Sequence, residues 1–273
     1  MKMPTLVCVF VLLFSVCAYS KEYDVFILGG QSNMDGRGAI ADLPPELAKP
    51  QEKIRFYYRN PLLGTNDWIA LAPGYSVAPS YKGKTLPSGT FGPEISFGAQ
   101  IAKALPAQNI ALIKATKGGT SLKNDWKPGI KDQTKSQGPL YQNFIATIND
   151  SLSLLKNNGD TYTIKGMIWH QGESDAALTA EEYKTLLTDF IARVREDLKL
   201  PNLPFVIGEV FDNGKRDSIR AAQLAVSKTV AGVGFFSVKD LNTSDKGTHF
   251  DSAGQIIMGE RFAAEMMKLL PAK

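Results

Sequence analysis

Five short runs of β-branched and aromatic residues, separated by helical patterns, constrain this chain more than any other feature of its sequence. The runs are Tyr23 to Leu28, Ile110 to Ala115, Thr163 to Trp169, Phe205 to Val210 and Val233 to Val238. Each reads as a buried strand. Between and after them, apolar residues recur at three- and four-residue steps, most clearly at Tyr183, Leu186, Leu187, Phe190, Ile191, Val194 and Leu198, which form one helix face. Comparable patterns cover Pro93 to Leu105, Leu140 to Lys156, Ser218 to Val230 and Ser252 to Leu270. This alternation implies a mainly parallel sheet covered by helices on both sides. In such sheets ligands bind beyond the carboxyl ends of the strands.

The N-terminus has a signal-peptide layout, with Lys2, an apolar run from Leu6 to Val16, and the small residues Ala18 and Ser20 placed for a cut after Ser20. Residues 1–20 are therefore expected to be removed on export, giving a secreted or periplasmic protein. Lipid attachment at Cys17 is the weaker alternative, because Val16 stands where a small residue is expected. Both cysteines, Cys8 and Cys17, fall in this segment, so the remainder has no disulfide, thiol nucleophile or cysteine metal site. Residues 21–273 read as one domain. The Pro- and Gly-rich stretch from Leu71 to Gly92 reads as a long surface loop. The net charge of +4 is spread without a basic block, which favours neither a nucleic-acid partner nor a membrane surface once the signal is gone.

Four polar motifs stand at expected strand ends. The first, Gly29-Gly30-Gln31-Ser32-Asn33-Met34-Asp35-Gly36, follows the first strand directly. Its glycines permit a sharp turn from which a serine hydroxyl can project beside backbone N–H groups. A phosphate loop is excluded by the lack of a Gly-Lys-Ser/Thr ending, whereas a simple turn with a capping serine stays open for the motif alone. The second, Lys117-Gly118-Gly119-Thr120-Ser121, offers an N–H that a developing oxyanion can approach closely, although a turn explains it equally well. Trp169-His170-Gln171-Gly172-Glu173-Ser174-Asp175 gathers an imidazole, an amide and carboxylates that are costly to bury in a core. The last motif is Asp245-Lys246-Gly247-Thr248-His249-Phe250-Asp251.

Only two histidines exist in the chain, so an imidazole base is His170 or His249. His249 lies in a polar loop between carboxylates, as a base requires. A zinc hydrolase is disfavoured by this scarcity and by the absence of an H-E-x-x-H spacing; no cofactor and no metal are expected.

Taken together, GGQSNMDGRG, KGGTSL, WHQGESD and GTHFD resemble the SGNH hydrolase superfamily, and within it the sialate O-acetylesterase and carbohydrate esterase family six group, from Asp24 to about Leu270. The resemblance implies a three-layer α/β/α sandwich with a flavodoxin-like five-stranded sheet. It also implies an esterase that acts on O-acetylated polysaccharide such as acetylxylan, with sialic acid as the alternative substrate and a binding protein without turnover as the alternative function. Ser32 would be the nucleophile and His249 its base. The oxyanion would be held by the Ser32 N–H, the Gly119 N–H and the Gln171 side chain, with His170 and Asn33 shaping the substrate pocket.

The superfamily usually places an aspartate three residues before the histidine, where this chain has Lys246, and an ammonium cannot accept the imidazole N–H. Asp245 and Glu173 are the two candidates for the acid. Glu173 is preferred because its motif is intact. Trp68, Tyr75, Tyr81 and Trp126 fall in loop-like segments, where stacking on sugar rings and ordinary packing both remain open.

Overall fold

The computed structural model describes residues 20–78, 81–245 and 247–271. The expected signal segment lies outside them apart from Ser20. In chain order the elements are β1 (Glu22–Gly30), α1 (Ser32–Asp35), β2 (Gly38–Ala39), β3 (Gln51–Arg59), β4 (Ile69–Leu71), β5 (Thr90–Phe91), α2 (Glu94–Ala104), β6 (Asn109–Thr116), α3 (Pro139–Asn157), β7 (Thr161–His170), α4 (Ala180–Asp197), β8 (Phe205–Gly208), α5 (Asp217–Thr229), β9 (Val233–Phe236) and α6 (Ser252–Leu269).

The main sheet has seven strands in the order β4-β3-β6-β1-β7-β8-β9, and every pairing is parallel except β3 with β4. Five of these strands are the expected ones, and their order β6-β1-β7-β8-β9 is the flavodoxin-like arrangement. The other two correct the five-stranded expectation. In β3 the charged Glu52, Lys53 and Arg55 face solvent, while Ile54, Phe56, Tyr57 and Tyr58 are buried. The charges mask a run, Ile54 to Tyr58, that has the composition of a strand.

Side chains of β1 alternate between two cores, Val25 and Ile27 entering one and Phe26 and Leu28 the other. The first core is closed by α3, α4 and α5 through residues such as Phe144, Phe190 and Ile219, the second by α2 and α6 through Phe97 and Phe262. The molecule is thus a three-layer sandwich. Its switch point lies at β1, where the chain, having laid down β3, β4 and then β6 on one side, continues on the other side with β7. The four motifs of interest are therefore carried to one end of the sheet.

Candidate active site

The turn that carries Ser32 is held from below. A four-residue helix such as α1 has no stability of its own, and here Met34 is wholly buried in the α2/α6 core. Asp35, also fully buried, accepts hydrogen bonds from the Tyr58 hydroxyl (2.8 Å), the Thr116 hydroxyl (2.7 Å) and the Val77 N–H (2.8 Å), and pairs with Arg37 (3.1 Å). Burial raises the Asp35 pKa, but Lys114, Arg37 and these hydrogen bonds outweigh it, so the carboxyl is held below its ordinary range. Lys114 rises from the middle of β6 with no exposure, and its ammonium donates to the Asp35 carbonyl (2.7 Å), the Tyr75 carbonyl (3.0 Å) and Glu94 (2.8 Å). Burial pushes the Glu94 carboxyl up despite this lysine.

Gly30 supplies the bend into α1. Its φ is +143°, and a Cβ there would stand 2.1 Å from the His170 carbonyl oxygen. Gly118 closes against Ser32 from the next strand end, where an added Cβ would lie 3.3 Å from the Ser32 Cβ. Gly119 is left-handed at φ +70° with open space where a side chain would project. Among the described residues, neither the Ser32 nor the Gly119 N–H has a backbone acceptor.

Ser32 meets His249 across the end of the sheet, Oγ to Nε2 at 3.1 Å. On the other side of the ring, Nδ1 donates to Asp245 Oδ2 at 2.6 Å. Asp245 Oδ1 accepts the N–H groups of Thr248 (2.8 Å) and His249 (2.9 Å). Burial opposes ionisation of Asp245, but these hydrogen bonds and the facing imidazole hold its carboxyl below the ordinary carboxylate range. With Nδ1 protonated, Nε2 presents a lone pair to the serine hydroxyl. The loop that carries both groups is closed by a Thr243–Phe250 bridge and by Asp251, which caps α6 by accepting the Gly254 N–H.

Several expected residues take other places. Glu173, the preferred acid, makes no bond to His249. Its Oε1 accepts the Asn33 amide at 2.7 Å and stands 3.6 Å from His170 Nδ1. His170 and Asn33 correct the expectation of pocket-shaping groups, since both are wholly buried and neither lines the cleft. His170 Nε2 bonds the Glu209 carbonyl at 3.0 Å, and burial depresses the ring's pKa even though Glu173 and that carbonyl favour its charge. The Gln171 amide is likewise committed. Its Nε2 donates to Asp175 (2.5 Å), the Thr120 carbonyl (3.1 Å) and Gln31 (3.3 Å), while its oxygen accepts from Tyr183, so it offers no free N–H to an oxyanion. Of the four loop aromatics, only Tyr81 lines the cleft. Trp68 and Trp126 are core residues whose indole N–H groups bond the Ser151 carbonyl and the Thr120 hydroxyl, and Tyr75 packs on Phe56 and Tyr58.

The cleft above Ser32 holds about 500 Å³. Val77, Ala78 and Tyr81 are among the residues that line it, with Leu62, so the expected surface loop from Leu71 to Gly92 contributes in part to the site. Arg37, Lys117 and Arg216 also line it. Arg216 was not visible as a site residue in the sequence. It is buried, donates to the Gly247 carbonyl and the Thr248 hydroxyl, and has no carboxylate partner among the described residues. Among those residues no group of three or more His, Cys, Asp or Glu is gathered as a metal ion would need.

A serine hydroxyl, an imidazole and a carboxylate in line, with two N–H groups that have no backbone acceptor, form an arrangement at one cleft that can carry out acyl transfer. Comparison with known proteins agrees in kind. A family model described as carbohydrate esterase, sialic acid-specific acetylesterase matches residues 22–268. A protein of Arabidopsis thaliana described as a probable carbohydrate esterase is 28% identical over 252 residues, 86% of each chain. The X-ray structure of an Arabidopsis thaliana protein superposes with a TM-score of 0.72 at 24% identity, covering 93% of this chain and all of that one. A carbohydrate acetylesterase of Xanthomonas citri superposes at 0.58 with 22% identity over 90% of this chain and 56% of its own length. Because the family model takes in nearly the whole described chain together with all four motifs around the cleft, this chain belongs to the sialic acid-specific acetylesterase family of carbohydrate esterases.

Proposed function

We propose that this protein is an exported serine esterase that removes acetyl groups from carbohydrate through a Ser32–His249–Asp245 relay. The observation that carries the reading is the unbroken line from Ser32 Oγ through His249 to Asp245, 3.1 Å and 2.6 Å long, at the floor of an open cleft. Ser32 attacks the acetyl carbonyl while His249 Nε2 takes its proton. Asp245 keeps the ring in the accepting tautomer and stabilises the imidazolium. The N–H groups of Ser32 and Gly119 hold the oxyanion, each worth about 3 kcal/mol of barrier. His249 then returns the proton to the departing sugar oxygen, and water, activated by the same ring, releases acetate from the acyl-enzyme.

For the substrate we propose an acetylated polysaccharide, acetylxylan or a related glycan, reached after export directed by residues 1–20. A second reading, an O-acetylated acidic sugar such as sialic acid, is favoured by the cations on the cleft wall: Lys117 and Arg216 form no ion pair among the described residues. Acetate release from acetylxylan, acetylated xylo-oligosaccharides and O-acetyl sialic acid tests both. Preference for neutral xylo-oligosaccharides supports the first reading, and preference for the sialic acid with loss of that preference in Arg216→Gln supports the second. Activity on p-nitrophenyl acetate that survives in Ser32→Ala refutes the mechanism.

A further inference from the structure

The intact motif around Glu173 has no part in the relay just described, yet the residue lies wholly inside the site. We propose that Glu173 is a positioning residue that acts through Asn33 to fix the His249 loop against the nucleophile. This rests on the reading of Ser32 and His249 as the reacting pair.

Asn33 is the residue after Ser32, and it is fully buried. Its Nδ2 donates to Glu173 Oε1 at 2.7 Å and to the Thr248 carbonyl at 2.9 Å. Its Oδ1 accepts the Phe250 N–H at 3.1 Å. Thr248 and Phe250 are the two neighbours of His249, so one amide ties both sides of the base to the residue beside the nucleophile. Every hydrogen of that amide is used. Turning it over would set its NH2 against the Phe250 N–H and its oxygen against two acceptors, the Thr248 carbonyl and Glu173. Glu173 therefore reinforces, with the Thr248 carbonyl and the Phe250 N–H, the one orientation in which the amide satisfies all three partners. Its Oε2 is buried without a partner, as is Nδ1 of His170 beside it, so among the described residues the Asn33 amide is the one hydrogen-bond donor to the carboxylate. The whole chain of contacts sets where Nε2 of His249 stands relative to Ser32 Oγ, a distance to which turnover is steeply sensitive.

The test is a set of variants assayed on p-nitrophenyl acetate, with folding followed by thermal denaturation. Asn33→Leu keeps the volume and removes both ties, and its kcat falls about 100-fold with KM little changed, since the side chain does not reach the cleft. Glu173→Ala falls less, and Glu173→Gln, whose amide oxygen still accepts from Asn33, recovers most of that loss. The double variant Asn33→Leu/Glu173→Ala is no worse than Asn33→Leu alone, because both act along one path. A polarity swap adds a nearly isosteric check: Asn33→Asp faces carboxylate with carboxylate, and Glu173→Gln added to it restores a donor and raises kcat again. Additive losses in the double variant, or a swap no better than Asn33→Asp alone, overturn the proposal. Turnover by Ser32→Ala would instead overturn the catalytic reading beneath it.

Discussion

Replacing Asp245 by asparagine is the sharpest test of which carboxylate serves the base. Asp245 uses its two oxygens differently: Oδ1 accepts two backbone N–H groups, those of Thr248 and His249, and Oδ2 faces the ring. An asparagine has a single oxygen, and two backbone donors claim it more strongly than one ring nitrogen. The NH2 is then left facing Nδ1 of His249, which must present a lone pair, so the ring proton moves to Nε2. There it points at Ser32 Oγ and blocks acceptance of the serine proton. A wrong tautomer of this kind costs about 10⁴ in kcat where the aspartate of a trypsin-type triad is buried. The Asp245 side chain is 41% exposed. Water competes for the ring there, and we expect a loss of about 10² to 10³, or about 3 to 4 kcal/mol of barrier. The assay is kcat on p-nitrophenyl acetate at neutral pH, with active sites counted by a phosphonate label. An Asp245→Asn enzyme within tenfold of the parent, or a Glu173→Gln enzyme that loses more than Asp245→Asn, refutes the assignment.

Three other outcomes bear on how the site is supported. Lys114→Met leaves Glu94 and the Asp35 carbonyl buried without their cation and lowers stability by about 3 to 5 kcal/mol in urea unfolding, whereas adding Glu94→Gln restores part of that loss. Gly30→Ala drives a methyl into the His170 carbonyl at a left-handed position, and its melting temperature drops by more than that of an alanine placed at the exposed Gly214. The buried His170 is neutral in the fold and charges more readily when unfolded. Its contribution is therefore complete above the ordinary histidine pKa of about 6.5 and is lost as pH falls below it. A His170→Gln variant has a flatter melting temperature against pH between about 6.5 and 5.

The layered fold was legible because five of the seven strands are rich in β-branched and aromatic residues, and the helices between them carry one apolar face each. Strand β3 was not, since Glu52, Lys53 and Arg55 break the run and only the fold reveals that they face solvent. That Ser32 and His249 would meet was legible from a glycine turn, a shortage of histidines and the combined motifs. The carboxylate facing the imidazole was not, because it depends on loop geometry: Glu173 reads as the better motif but bonds to Asn33, 140 residues away in sequence. Gln171 illustrates the same limit. An amide in a polar motif reads as a donor to substrate, and only the positions of Thr120, Asp175 and Tyr183 show that its groups are already engaged. Lys114, in the middle of an apolar strand, gives no sign in sequence of the carbonyls it serves.

The closed loop from Thr243 to Phe250 has a further consequence. Asp245 and His249 belong to one short loop, and the bonds between them are local to it. The ties from Asn33 and Arg216 that hold this loop in place are long-range. A shift of the loop as a whole therefore carries the Asp245–His249 contact with it. Variation between the two groups is absorbed in the same way. The loop accommodates an aspartate four residues before the histidine because the contact is set by the turn's closure, and a fixed spacing rule therefore misses a carboxylate that a short backbone loop can deliver to the imidazole from more than one register.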